Sequence, residues 1–384
     1  MDDKSMLMIP GPTPVPERVL LAQAKHPIGH RSGDFSDLIG EVNASLKWLH
    51  QTQNDVLALT ASGTGAMEAA IINFVSAGDR VLVGSNGKFG DRWAKICRAY
   101  GLNTEVITSE WGKPLDADAF GSALSADSDK TIKAVIITHS ETSTGVLNPL
   151  EAIAGHVKAH GSALTIVDAV TSLGAYNLAI DDMGLDIVGS GSQKGYMIPP
   201  GLGFVSVSDK AWAAYDTATL PKFYFDLKAY KKSAGKNSTP FTPPINLYFA
   251  LHEALTMMRS EGLAAIFARH DCHKRATRAA MKAIGLPLFA GDSCASPAVT
   301  AVMPQGVEAE QIRATVKQRF DIALAGGQDH LKGQIFRIGH LGFISDRDIL
   351  TVVSAIEASL VALGYDTFTP GAGIAAASRV LIEG

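Results

Sequence analysis

Cysteine is scarce in this chain: Cys97, Cys272 and Cys294 are the only three in 384 residues. They stand far apart and form no Cys-x-x-Cys pair, so neither a disulfide framework nor a thiolate-ligated metal centre has support, and no metal is expected. Charge is sparse as well. Charged residues make up 19%, the formal net charge is −4, and like charges do not cluster. Nucleic acid and anionic membrane surfaces are therefore not expected partners. No apolar run is long enough to span a bilayer. The start, Met1-Asp2-Asp3-Lys4, lacks the basic region and apolar run of a secretory signal, which points to a cytoplasmic protein with reduced thiols. Internal repeats and low-complexity segments are also missing.

What is present is a hydrophobic content of 46%, suited to a well-packed enzyme, in a chain long enough for two or three domains. Residues 1–20 contain Ile9-Pro10-Gly11-Pro12-Thr13-Pro14-Val15-Pro16. Four prolines remove four backbone donors, which predicts an extended arm lying across another surface, such as that of a partner subunit. From residue 55 to 208, short apolar runs at 56–59, 80–83, 104–107, 134–137, 164–167, 187–188 and 203–207 read as strands. Helical stretches at 65–75, 91–100 and 150–159 lie between them. That alternation predicts an α/β fold with a mostly parallel seven-stranded sheet between helices, in a large domain spanning residues 21–262. Residues 230–244 read as an exposed excursion before a helix at 246–259. Residues 263–384, with strands at 297–302, 322–325 and 335–338 and helices at 308–320 and 346–363, read as a smaller α+β domain.

Ligands of such sheets bind beyond the carboxyl ends of the strands, so the residues after each strand matter most. Lys194, in Ser190-Gly191-Ser192-Gln193-Lys194-Gly195, follows one apolar run; Asp168 ends another. A lysine among small residues at a strand end suits a neutral amine that attacks a carbonyl. A strand-end aspartate suits a protonated ring nitrogen. Together they suggest a pyridoxal 5′-phosphate (PLP) site. Thr60-Ala61-Ser62-Gly63-Thr64-Gly65 opens a helix and offers donors to a phosphate, or is simply a glycine-rich N-cap. Phe89, in Asn86-Gly87-Lys88-Phe89-Gly90, stacks on a flat ring or belongs to the core. The hydroxyls of Thr138-His139-Ser140-Glu141-Thr142-Ser143-Thr144-Gly145 touch a ring oxygen or form an ordinary turn. Arg337, between Phe336 and Ile338, binds a substrate carboxylate or an internal carboxylate.

These segments, with Ser-Gly-Thr-Gly-Ala-x-Glu-Ala-Ala, Ser-Thr-Gly-Val-Leu, Val-Asp-Ala-Val-x-Ser-Leu-Gly, Gly-Ser-Gln-Lys and Arg-Ile-Gly, resemble class V aminotransferases of PLP fold type I, in the alanine–glyoxylate and serine–glyoxylate branch. The resemblance implies that Lys194 carries the cofactor covalently and Asp168 pairs with its ring nitrogen. It implies Phe89 and Val170 on the two ring faces, Thr142 near the ring hydroxyl, and Ser62, Gly63, Thr64 and Gln193 on the phosphate. It implies Arg337 on the amino acid carboxylate. The active site would be completed in a homodimer by Thr239 and Thr242 of Thr239-Pro240-Phe241-Thr242-Pro243. The expected reaction takes an amino group from alanine or serine to glyoxylate, as in photorespiration. Gly29-His30-Arg31-Ser32 resembles a segment of phosphoserine aminotransferases, so Gly29, His30 and Arg31 bind a substrate anion or form a solvated loop. A cysteine desulfurase would need a nucleophilic cysteine where Ala325-Gly326-Gly327-Gln328 stands. The chain also resembles cyanobacterial proteins labelled as a soluble hydrogenase subunit, a label its scattered thiols do not explain. A non-catalytic subunit with a vestigial fold is the remaining alternative.

Overall fold

The computed structural model describes residues 5–384; residues 1–4, the start of the expected arm, lie outside the described residues. All seven expected strands of the large sheet form. Their order is Asp55–Thr60, Leu202–Val207, Ile187–Gly191, Leu164–Asp168, Ile132–Thr138, Arg80–Ser85 and Asn103–Thr108. Leu202–Val207 runs antiparallel to both neighbours, and the other adjacent pairs are parallel. Helices cover both faces, which is why the central strands read as unbroken apolar runs. Beyond the register shift at Ile132, Val135 and Ile137 belong to one core cluster, while Ala134 and Ile136 belong to another. Period-two alternation thus feeds two cores at once.

A second sheet has the order Met6–Met8, Ile322–Gly326, Phe336–Gly339, Val299–Val302. The helices Ala309–Phe320, Asp346–Ala362 and Leu263–Ala283 share its core with Met8, Phe336 and Ile338. The last helix, Ala372–Glu383, was not expected; its small residues lie against Leu263–Ala283. The expected excursion at 230–244 is partly helical, since Leu227–Ala234 forms a turned segment capped by Asp226. The 18-residue helix Gly33–His50, N-capped by Ser32, was also unread in the sequence.

The arm differs most from expectation. Met6–Met8 is a parallel edge strand paired with Ile322–Leu324, and a short helix, Glu17–Gln23, follows the prolines. Between them Ile9 and Pro10 cross Gly339 so closely that a side chain at 339 would meet the Ile9 carbonyl group. The glycine of Arg-Ile-Gly therefore makes room for this chain's own arm. Gly339→Ala is expected to displace the arm and destabilise the fold by about 1–3 kcal/mol. An unchanged thermal midpoint, with no new proteolytic cleavage between residues 5 and 14, would refute that crossing.

Candidate active site

The carboxyl ends of the parallel strands converge on a cavity of about 200 Å³. It is lined by nine of the residues named from the sequence: Ser62, Gly63, Thr64, Phe89, Thr142, Asp168, Val170, Gln193 and Lys194. Ser62 caps the helix Gly63–Ile72 by accepting the Gly65 N–H, which is the N-cap of the sequence reading; Ser62, Gly63 and Thr64 at this helix N-terminus also line the cavity.

Lys194 follows the strand Ile187–Gly191 in a turn closed by the Met197 N–H to the Lys194 carbonyl at 3.0 Å. Met197 has φ 58°, a left-handed conformation uncommon for a side-chain-bearing residue and of the kind found at constrained sites. Behind the turn, the Tyr196 hydroxyl bonds Ser190 at 2.7 Å and His50 at 2.8 Å. Burial pushes the Lys194 ammonium down to about 8; Arg337 and Arg92 act in the same direction, and Asp168 opposes them. Its Nζ donates to the Pro10 carbonyl, and Gly11 packs on the lysine side chain with no room for a Cβ. Thr13 bonds the Gln193 and Lys194 carbonyls. The arm thus covers the lysine of its own chain.

Burial pushes Asp168 up to about 6, opposed by the Val170 N–H, Arg92 and Lys194. Its Oδ1 accepts the Val170 N–H at 2.9 Å. The Trp93 indole N–H is near enough to favour the anion, yet forms no hydrogen bond of good geometry. Among the described residues no other donor reaches this carboxylate, and the buried Gln193 Oε1 likewise has no partner. A protonated ring nitrogen would supply the donor that the Asp168 carboxylate lacks, and the N–H groups opening the helix Gly63–Ile72 would donate to a phosphate, so the residues fit PLP.

Arg337 lies on Phe336–Gly339, with Nε donating to the Gly326 carbonyl and Nη1 to the Thr142 carbonyl, both at 2.9 Å. Burial lowers it to about 10, so it stays cationic at neutral pH. No carboxylate lies within ion-pair distance among the described residues, which removes the internal salt bridge and leaves Nη2 without a partner.

Three contributors were missed. The Pro10 carbonyl is one. Glu141 is another: fully buried, its carboxylate accepts the N–H groups of Phe89 (3.0 Å), Gly90 (3.1 Å) and Ser143 (3.1 Å) and the Ser143 hydroxyl. It fixes the turn that carries Phe89, and Gly87 has no room for a Cβ beside it. The third is Arg92, one helical turn after Phe89 on Lys88–Ala99, where the i, i+3 spacing was the available signal. Arg337, Thr239, Thr242, Gly29 and His30 do not line this cavity; Arg337 reaches it only through the Thr142 carbonyl. Thr239 donates to the Phe241 carbonyl, and Arg31 bonds the Ser238 hydroxyl and Thr239 carbonyl, so these segments meet one another elsewhere on the surface.

Fold and site together define a PLP-dependent transferase of fold type I. Residues 10–340 match the class V aminotransferase family model, and the chain belongs to that family. It is 72% identical over 381 residues, 99% of each chain, to a protein of Synechococcus sp. (strain PCC 6716) named soluble hydrogenase, small subunit. It is 37% identical to the L-aspartate–glyoxylate aminotransferase of Paracoccus denitrificans, covering 99% of this chain and 96% of that one. The crystal structure of alanine–glyoxylate aminotransferase from Nostoc sp. matches with a TM-score of 0.88 at 32% identity, over 94% and 96% of the two chains. The protein is a PLP-dependent aminotransferase of class V.

With Lys194 lowered to about 8 and expected as the attacking amine, cofactor loading of the apoprotein should follow its neutral fraction, the only form that attacks a carbonyl. The loading rate, followed by absorbance, should climb about tenfold per pH unit below that value and level off above it. A rate independent of pH across that value would show that Lys194 is already neutral or is not the attacking group.

Proposed function

We propose that this chain moves the amino group of a small L-amino acid, alanine or serine, to glyoxylate, yielding glycine and pyruvate or hydroxypyruvate by ping-pong kinetics. The observation that carries this reading is the Pro10-Gly11 arm packed directly on Lys194, beside the one arginine held by carbonyls with a free Nη2. One carboxylate fits on Arg337, and the arm leaves little space for a long side chain. The family relatives named for glyoxylate support the acceptor.

When bound, PLP supplies an electron sink that acidifies the α C–H of an amino acid. The residues of this chain do the rest. Lys194 Nζ would hold the proton taken from the substrate α-carbon, a task suited to an amine whose pKa lies near physiological pH. Asp168 would keep the ring nitrogen protonated, and that cation would draw its raised pKa back down. Phe89 and Val170 would hold the ring. Ser62, Gly63, Thr64 and Gln193 would donate to the phosphate. Arg337 orients the substrate carboxylate so that the α C–H faces Nζ. Thr239, Thr242, Gly29 and His30 act on the site of a neighbouring subunit in a homodimer, consistent with Arg31 tying their two segments together away from this cavity.

A second reading, an acidic donor, is favoured by one observation: Arg92 places a guanidinium in the cavity lining in addition to Arg337 behind Thr142. The yellow holoprotein should bleach with L-alanine or L-serine and recover its colour with glyoxylate. Bleaching by L-aspartate or phosphoserine alone would replace the proposed donor. A protein that stays colourless with added PLP would point to a non-catalytic subunit.

The dimeric site has its own test. Lys194→Ala and Thr239→Arg chains, each expected to be inactive, should regain activity when refolded together, because a mixed dimer contains one intact site. No recovery, with mixed dimers present by mass, would place Thr239 outside the neighbour's site.

A further inference from the structure

We propose that Arg92 is the counter-cation of the PLP phosphate, binding its oxygens and neutralising their charge. This rests on the PLP reading of the site and adds a residue that no motif supplied. A phosphate monoester brings close to two negative charges into the cavity. The groups assigned to it are neutral: the Ser62 and Thr64 hydroxyls, the N–H groups that open the helix Gly63–Ile72, and the Gln193 amide. A helix N-terminus contributes only about half a unit of positive charge. Of the residues lining the cavity, two carry cationic side chains, Lys194 and Arg92. Lys194 is committed to the reacting carbonyl and loses its charge in that role, which leaves Arg92.

Its position fits. Nη1 of Arg92 donates to Thr64 Oγ1 at 3.3 Å, which puts the guanidinium at the phosphate end rather than beside Arg337. Its Cζ lies 4.8 Å from the centroid of the Phe89 ring, a cation–π contact that steers the side chain. Glu141 pins the same turn from below through the Phe89 and Gly90 N–H groups. No carboxylate pairs with Arg92 within ion-pair distance among the described residues. Its charge instead reaches Asp168 and Lys194, favouring the anion of one and the neutral form of the other. An unpaired, half-buried guanidinium beside a helix N-terminus and two hydroxyls is suited to a phosphate, which it can grip through two parallel N–H groups.

Cofactor affinity reads this directly. Apoprotein prepared from holoenzyme is titrated by absorbance with PLP and with pyridoxal, which lacks the phosphate. Arg92→Gln should weaken PLP by about ten- to a hundredfold and leave pyridoxal within about twofold. Arg92→Lys, which keeps the charge but loses the fork, should recover part of the loss. Inorganic phosphate should compete with PLP for the wild-type apoprotein and compete less well for Arg92→Gln. Equal weakening of PLP and pyridoxal would overturn the proposal, because Arg92 would then act only by holding Phe89. Undiminished PLP affinity with loss of bleaching by L-aspartate would also overturn it and make Arg92 a substrate residue. Wild-type apoprotein that binds neither compound would instead sink the cofactor reading itself.

Discussion

The site depends on weakening the hold of one amine on its proton in a place where it cannot leave. Lys194 lies under the Pro10 carbonyl and Gly11, feels the charges of Arg337 and Arg92, and is only partly compensated by the Asp168 carboxylate. Desolvation dominates, so the ammonium is disfavoured by its surroundings and not by a single neighbour. Everything nearby serves that environment. The left-handed Met197 turns the chain back under the lysine, the Ser190–Tyr196–His50 chain satisfies the hydroxyls beneath it, and the proline-rich arm closes the top. Burial lowers His50 to about 3, so it remains neutral and adds no charge to the balance.

Charge is divided across the site. Arg92 lines the cavity, fixed by Thr64 and an aromatic face, while Arg337 stands outside the lining, fixed by the Gly326 carbonyl and by the carbonyl of the lining residue Thr142. The buried acid of the lining, Asp168, keeps a raised pKa of about 6 despite both the Val170 N–H and Arg92. One guanidinium in the lining, another behind Thr142 and one reluctant anion complement a zwitterionic cofactor bearing a ring cation and a phosphate, together with a monocarboxylate substrate. Glu141 supports this from outside: as a fully buried carboxylate it gathers three backbone N–H groups and so sets the turn from which both Phe89 and the helix bearing Arg92 depart.

Much of this was legible in the sequence, for physical reasons. Buried parallel strands leave unbroken apolar runs, so the sheet and the strand-end residues Asp168 and Lys194 could be placed without coordinates. Gly63 and Gly339 could be singled out as glycines, but not what crosses Gly339. The misses share a cause. Pro10 contributes through a backbone carbonyl, which leaves no trace in side-chain type. Glu141 lay inside a segment read for its hydroxyls, and a buried acid bound to backbone N–H groups looks like any turn acid. Arg92 sits on an amphipathic helix, where an arginine reads as a solvated charge. Met6–Met8 is only three residues long, and its partner strand is remote in sequence, so no local pattern announces it.

That remote pairing governs the order in which the molecule can be completed. Met6 pairs in register with Ile322 and donates its N–H to the Asp321 carbonyl, and Ile9 is held against Gly339, so the arm docks onto strands that are synthesised much later. The large sheet, whose strands all lie between Asp55 and Val207, contains every partner it needs and can form earlier. Until the small sheet exists, the arm lacks its strand pairing and its seat on Gly339, and only the Thr13 bonds to Gln193 and Lys194 can hold it over the lysine. The cover over Lys194 is therefore completed last, when segments remote in sequence meet above it.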